Sequence, residues 1–276
     1  LPSVGPGNIL GEVIRSGLVP TVCLNEIFRQ AARSLIVENA HHIISSEPLQ
    51  KGGRTDDFFF LESDGDAARK LVCDLVTTRL PRSYGFDPIR DIQVLCPTKL
   101  GPTGTQALNV ELQNLLNPEQ KGKPQLQSAS RVFRVGDKVM QVRNNYEIVW
   151  NRIGGEQGVG AYNGDIGIVE SINPRDRSMV VRMDDRRLIY PAENLGELEI
   201  AYAITVHKSQ GSEFPAVILP AAQVPPRLCY RNLFYTGVTR GRKLCIVVGR
   251  RDVVNRMMSN IRQNLRYSGL AALLAE

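Results

Sequence analysis

The chain has 276 residues, 42% of them hydrophobic, and a formal net charge of +6. That length can bury a substantial core, in one large domain or two smaller ones. No stretch approaches the roughly 18 unbroken apolar residues of a helical membrane span, so no membrane partner is expected. The basic balance permits a nucleic-acid partner through phosphate neutralisation without requiring one.

Leu1–Gly7 is a Gly/Pro-rich loop with no basic start, no apolar signal core and no initiator methionine, and it reads as the cut end of something longer. The cysteines Cys23, Cys73, Cys96, Cys229 and Cys245 are scattered, and no two share a CxxC spacing. With only His41, His42 and His207 beside them, no zinc pattern forms, so buried thiols in a reducing cytoplasm and no metal site are expected.

In chain order, a helix is expected over Asn8–Ser16, stopped by Gly17. A short apolar run at Val19–Leu24 predicts a buried strand. Asn25 is placed to cap a long helix running to about Ser45, with Ile27, Ala31, Leu35 and Ile36 on its apolar face. A polar loop, a strand at Phe58–Glu62, a helix at Asp64–Thr78, a strand at Asp91–Cys96 and a helix at Thr105–Leu116 follow. Strands alternating with helices predict a parallel α/β sheet.

From Asn117 to about Glu199 the helical period disappears. Strands are expected at Lys138–Arg143, Asp165–Ile172, Ser178–Arg182 and Arg187–Tyr190, with turns at Asn144-Asn145, Asn163-Gly164-Asp165 and Asn173-Pro174. This predicts a small all-β insert, a barrel, at residues 131–198. The α/β pattern then returns, with a strand at Val217–Leu219, a helix at Tyr230–Val238, a strand at Leu244–Gly249 and a helix at Asp252–Leu265. Residues 1–130 and 199–276 are therefore expected to form one discontinuous α/β domain; two independent domains in series are the alternative.

Three segments carry chemistry. In Ala203–Val217, AITVHKSQGSEFPAV, short polar and cationic groups crowd ahead of Gly211, which permits a tight bend. Lys208 and the hydroxyls of Thr205 and Ser209 suit phosphate oxygens, although a solvated loop would also accommodate them. In RNLFYTGVTRGR, Arg231–Arg242, an arginine at a helix end beside Gly241 can project into a cleft and meet a transferring phosphoryl group. Arg29, in NEIFRQ, could do the same. Taken singly, both arginines also fit an ordinary surface role.

Read together, THKSQG and Y-x-x-x-T-R at this order and spacing resemble motifs V and VI of superfamily 1 helicases, and FRQ resembles motif IV. LPSVGPG resembles the tail of motif III. LPSVGPGNIL, NAHHI and CPTKLGPTGTQALNVELQNLLNP resemble the RecD-like branch, nearest to the stand-alone bacterial RecD-like helicases. The resemblance spans essentially the whole chain.

It implies a fold: the second RecA-like (P-loop NTPase-type) motor lobe, α/β with a parallel sheet and an inserted Src-homology-3-like barrel. It also implies roles. Arg29 and Arg240 would stabilise charge on the γ-phosphate, and Gln30, Gly211 and Glu213 would meet the nucleotide. Thr205, His207, Lys208 and Ser209 would track a single-stranded DNA backbone, with Thr98, Thr103 and Gly104 as a second contact. Asn145, Tyr146 and the Asn163-Gly164-Asp165 turn would line the DNA-facing side of the insert, where Tyr146 either stacks on a base or sits in the core.

No GK[ST] occurs; Gly122-Lys123 is followed by Pro124. ATP and Mg2+ would accordingly be held in the full-length enzyme by a missing N-terminal RecA-like lobe, the fragment alone would be inactive, and translocation would run 5′→3′. A monomer is expected. The competing function is a non-catalytic single-stranded nucleic-acid-binding module. A nuclease, suggested by the exodeoxyribonuclease V alpha-subunit label of such chains, finds no clustered Asp/Glu/His set here.

Overall fold

The computed structural model describes residues 8–22, 34–53, 55–128, 131–152, 154–261 and 270–274. Its elements begin with α1 (Ile9–Ser16), α2 (Leu35–Ser45), β1 (Phe58–Glu62), α3 (Gly65–Asp74), a π-helical turn (Leu75–Arg79) and α4 (Leu80–Tyr84). Next come β2 (Ile92–Cys96), α5 (Thr105–Leu116), β3 (Gln125–Ser128), β4 (Arg131–Arg134), β5 (Lys138–Gln141), β6 (Asn145–Arg152), β7 (Gln157–Ala161), β8 (Ile166–Asn173), β9 (Ser178–Met183) and β10 (Arg186–Tyr190). The chain continues through β11 (Leu198–Ile200), β12 (Ala203–Thr205), a 3-10 turn (Val206–Ser209), β13 (Phe214–Ala221), α6 (Arg231–Val238), β14 (Gly241–Gly249) and α7 (Arg251–Ser259).

Five strands form a parallel sheet in the order β1-β14-β13-β2-β12. Strands from both ends of the chain thus share one layer. Strand side chains alternate between faces, and here both faces are apolar because both are covered. Leu244, Ile246 and Val248 of β14, with Ala216 and Ile218 of β13, pack against Ala68, Val72, Leu108 and Leu112 of α3 and α5. Cys245 and Val247, with Val217 and Leu219, pack against Ile43, Phe234 and Met257 of α2, α6 and α7.

Between β2 and β12 lies a seven-stranded antiparallel sheet, β11-β5-β8-β9-β10-β6-β7, with a β3–β4 hairpin beside it. Phe133, Val139, Val181, Leu188 and Tyr190 fill its own core; each such side chain contributes about 1.5–3 kcal/mol on burial. The expected β module is present in this form. Pairing between its end strands, which would close it into a barrel, is not found among the described residues.

Several expectations are corrected. Residues 19–22 are not a buried strand: they are irregular, Val19 and Val22 are exposed, and Pro20 has no N–H for a ladder. Where a long helix was expected from Asn25, the described helix α2 begins at Leu35, after Ser34, whose backbone is extended and whose hydroxyl accepts from Val37 N–H as its N-cap. Asn25 itself lies outside the described residues. The helix from Gly65 continues through the π-helical turn to Tyr84, past the expected end at Thr78. Asn145, expected in a turn, opens β6, and that strand with β7 was not foreseen.

Candidate functional site

Thr205 ends β12 in register with Cys96, so it stands at the same carboxyl edge of the sheet as Thr98, two residues beyond β2. From there the chain takes one 3-10 turn. The Ser209 hydroxyl donates to Val206 O across 2.8 Å and is fully buried, so it holds the turn rather than facing solvent. His207 Nε2 lies 3.2 Å from Tyr230 Oη, and desolvation lowers the His207 pKa. Lys208 is half-buried and donates to Glu199 Oε2 across 3.1 Å, while Arg131 reaches the other Glu199 oxygen at 3.4 Å. Burial acts to raise the Glu199 pKa, but Lys208, with Lys99 and Arg131, outweighs it and keeps the carboxyl below its ordinary value. Lys208 therefore meets an incoming phosphate only by sharing or leaving this carboxylate.

Gly211, at φ 85°, turns the chain back. Phe214 then starts β13 next to Gly241 of β14. Because Thr205 is level with Cys96, Ala216 with Ile92, and β13 starts two residues before Ala216, the segment Val206–Glu213 descends from the carboxyl edge of the sheet to its amino edge, a drop of about 20 Å at 3.3 Å per residue. A single short segment therefore joins Thr205–Ser209 to the surroundings of Arg240.

Arg240 follows α6, whose last turn is tied by the Thr239 hydroxyl donating to Tyr235 O and Thr236 O. The Arg240 guanidinium donates through Nη1 to Ser212 O across 3.1 Å, and Phe214 N–H donates to Arg240 O across 3.0 Å. Glu213 Oε2 stands 3.9 Å from Arg242 Nε. The structure thus gathers Gly211, Glu213 and Arg240 into one cluster. Arg29 and Gln30, expected beside them, lie outside the described residues.

Around Thr98 the geometry is that of a tight helix entry. Thr98 O and Lys99 O accept from Thr105 and Gln106 N–H, and Gly104 N–H donates to Gly101 O. A Cβ on Gly104 would stand 2.5 Å from Leu100 O and 2.6 Å from Lys99 O, so the turn itself requires glycine here. Thr103 is only 3% exposed and offers little to a ligand. Beyond this turn a cavity of about 390 Å3 opens, lined by Lys99, Gln106, Asn109, Arg131 and Glu199.

On the antiparallel sheet, Asn145 is engaged internally: Nδ2 donates to Glu197 and Oδ1 accepts from Glu147 N–H. Tyr146 is 65% exposed and is therefore not a core residue. Its ring meets Tyr162 edge-on, with centroids 6.0 Å apart. The Asn163-Gly164-Asp165 turn is pinned by Gly164 N–H to Gln141 O and by Asp165 to Tyr162 N–H and Arg186.

Sequence reasoning missed Tyr162, Glu199 and the adjacent charges Asp137 and Lys138. Asp137 is fully buried and accepts from Gln113 Nε2, Asn117 Nδ2, Arg134 N–H and Tyr202 Oη. Two charges inside an apolar strand pattern were the available signal. Among the described residues, no group of His, Cys, Asp and Glu could hold a metal, and no helix is long and apolar enough to cross a membrane.

Comparison with known proteins matches residues 108–183 to the ATP-dependent RecD-like DNA helicase SH3 domain and residues 200–248 to the UvrD-like helicase C-terminal domain. The ATP-dependent RecD2 DNA helicase of Deinococcus radiodurans is 32% identical over 244 residues, which is 88% of this chain and 30% of that protein. The RecBCD enzyme subunit RecD of Mycobacterium tuberculosis is 32% identical over 178 residues, 64% of this chain and 28% of that protein. The chain thus spans about 30% of the length of such relatives. A solved Bacteroides Pif1 helicase in complex with ADP-AlF3 and ssDNA is similar at a TM-score of 0.49 and 19% identity, over 88% of this chain and 54% of that one.

Proposed function

With the chain belonging to the RecD-like superfamily 1 helicases as a C-terminal part, we propose that it is the second motor lobe of an ATP-dependent 5′→3′ DNA helicase. In this reading residues 1–130 and 199–276 form the RecA-like lobe, and residues 131–198 form the insert. ATP and Mg2+ are held by an N-terminal RecA-like lobe of the same protein, in the cytoplasm. The second lobe supplies Arg240, and with it Arg29, to the γ-phosphate, while Gln30, Gly211 and Glu213 meet the rest of the nucleotide. Thr98, Thr205, His207 and Lys208 meet the backbone of single-stranded DNA, and Tyr146 meets a base. Without the other lobe the chain hydrolyses no ATP.

One observation carries this reading. The segment Val206–Glu213 runs from the DNA-side residues to the backbone that holds Arg240. A charge on the γ-phosphate attracts Arg240 while it is present and releases it on hydrolysis. Displacement at one end of so short a segment reaches the other, and the grip on DNA changes with the nucleotide state.

The test is binding of ADP-aluminium fluoride, a mimic of the transferring phosphoryl group, to the full-length protein with single-stranded DNA. In this account Arg240→Ala weakens the analogue by about a hundredfold and leaves ADP affinity within about twofold, because ADP lacks the γ-position. Equal affinities for the analogue in the two proteins would remove Arg240 from the nucleotide site, and no binding of the analogue by either would favour a non-catalytic single-stranded nucleic-acid-binding module.

A further inference from the structure

Lys138 is 4% exposed, although it begins a strand of the antiparallel sheet. Side chains alternate along β5. Val139 joins the core of the antiparallel sheet, whereas Met140, which shares the side of Lys138, joins the core between the parallel sheet and α2 and α6. Lys138 therefore projects out of its own sheet and under the other. Its Nζ donates to Ile92 O across 3.2 Å and lies 6.0 Å from the centre of the Phe214 ring. Ile92 and Phe214 are the first residues of β2 and β13.

An ammonium in this position is expensive. Burial lowers its pKa to about 8, with Asp87 and Asp91 acting in the opposite direction. A methionine would fill the same volume without that cost, so packing alone does not account for a lysine. What the lysine holds is the start of β2, through its hydrogen bond to Ile92 O, and the start of β13, through the ring of Phe214. The Phe214 N–H is bonded to Arg240 O, and two residues earlier Ser212 O receives the Arg240 guanidinium. Lys138, Phe214 and Arg240 form one contiguous chain of contacts from the antiparallel sheet to the arginine.

We propose that Lys138 is a positioning residue: through Phe214 it makes the β insert set the place of Arg240, so that the insert and the arginine move as one unit. The proposal rests on the assignment of Arg240 to ATP hydrolysis.

A double-mutant cycle in the full-length protein tests it, with kcat and KM for ATP measured in saturating single-stranded DNA. Lys138→Met keeps the bulk and removes the charge and the hydrogen bond. The expected result is a fall in kcat of about tenfold with KM changed by less than about twofold, since the misplaced group acts after binding. In the Arg240→Ala background the same substitution should change kcat by less than about twofold, because its effect runs through the missing arginine. Equal fractional losses in both backgrounds would mean that Lys138 is merely structural, and an unchanged kcat in the single variant would also overturn the proposal. If Arg240→Ala alone costs nothing, the assignment of Arg240 fails first and takes this proposal with it. Should Lys138→Met not fold, Phe214→Leu breaks the same link from the other side and is read by the same cycle.

Discussion

The side-chain amide of Gln113, on α5, donates to the Asp137 carboxylate across 2.6 Å and so ties a helix of the parallel-sheet layer to the turn before β5. Asn117, the C-cap of the same helix, Tyr202 beyond β11 and the Arg134 N–H complete the set of donors. Asp137→Ala strips four donors of their shared acceptor. It should destabilise the protein by about 3 kcal/mol, since buried groups left without partners each cost about 1–3 kcal/mol and some donors here retain a second acceptor. Urea unfolding measures this. A loss below about 0.5 kcal/mol would mean that water replaces the carboxylate at no cost.

Lys138 makes stability depend on pH in a defined direction. Its folded pKa is depressed from 10.5 to about 8. Its contribution is therefore fully present above the unfolded value and is lost as pH falls through the folded one. Wild-type stability should rise relative to Lys138→Met between about pH 8 and pH 10.5. The difference between the two proteins is the quantity to follow, because the buried Tyr190 and Tyr202 hydroxyls, whose pKa values burial raises, act equally in both. Parallel curves for the two proteins would place the ammonium in contact with water.

Gly104→Ala should cost about 1–3 kcal/mol. The added methyl meets the backbone carbonyls of Leu100 and Lys99 rather than a flexible side chain, so the turn ahead of α5 must open. Thermal melting of the variant alongside Val110→Ala, an exposed site on the same helix, separates this strain from a general effect on α5. Equal melting points for the two variants would contradict it.

Tyr146 and Tyr162 form an exposed aromatic pair on the antiparallel sheet. If Tyr146 stacks on a base, Tyr146→Ala weakens binding of a fluorescent single-stranded oligonucleotide by about tenfold, within the 1–3 kcal/mol usual for such stacking. The slope of affinity against salt should stay the same, because no phosphate contact is lost. A reduced slope with little change in affinity would assign the contact to the neighbouring cations instead.

Much of the parallel-sheet layer was legible from periodicity: Phe58–Glu62, the strand ending at Cys96 and Thr105–Leu116 stand where the pattern puts them, and the strand expected from Leu244 to Gly249 begins earlier, at Gly241. The antiparallel sheet was read only in part. Asn144-Asn145 has the composition of a turn, yet Asn145 opens a strand because its side chain bonds Glu197, a partner 52 residues away that no local pattern reveals. Ser34 breaks a continuous apolar stripe for a similar reason: Asp57 receives its hydroxyl and the Ile36 N–H. Among the site residues, Gly211, Glu213 and Arg240 were expected together only through the resemblance of two segments to helicase motifs, and the fold brings those segments side by side. The engagement of Lys208 by Glu199, and of Phe214 by Lys138, could not follow, because each joins segments whose proximity is created by the fold.

The most direct measurement is ATP hydrolysis by the full-length protein, with and without single-stranded DNA, in wild type and Arg240→Ala. The account predicts DNA-stimulated hydrolysis in the wild type and a loss of about a hundredfold or more in the variant. Hydrolysis indifferent to both DNA and Arg240 would contradict it and would leave the chain as a binding module.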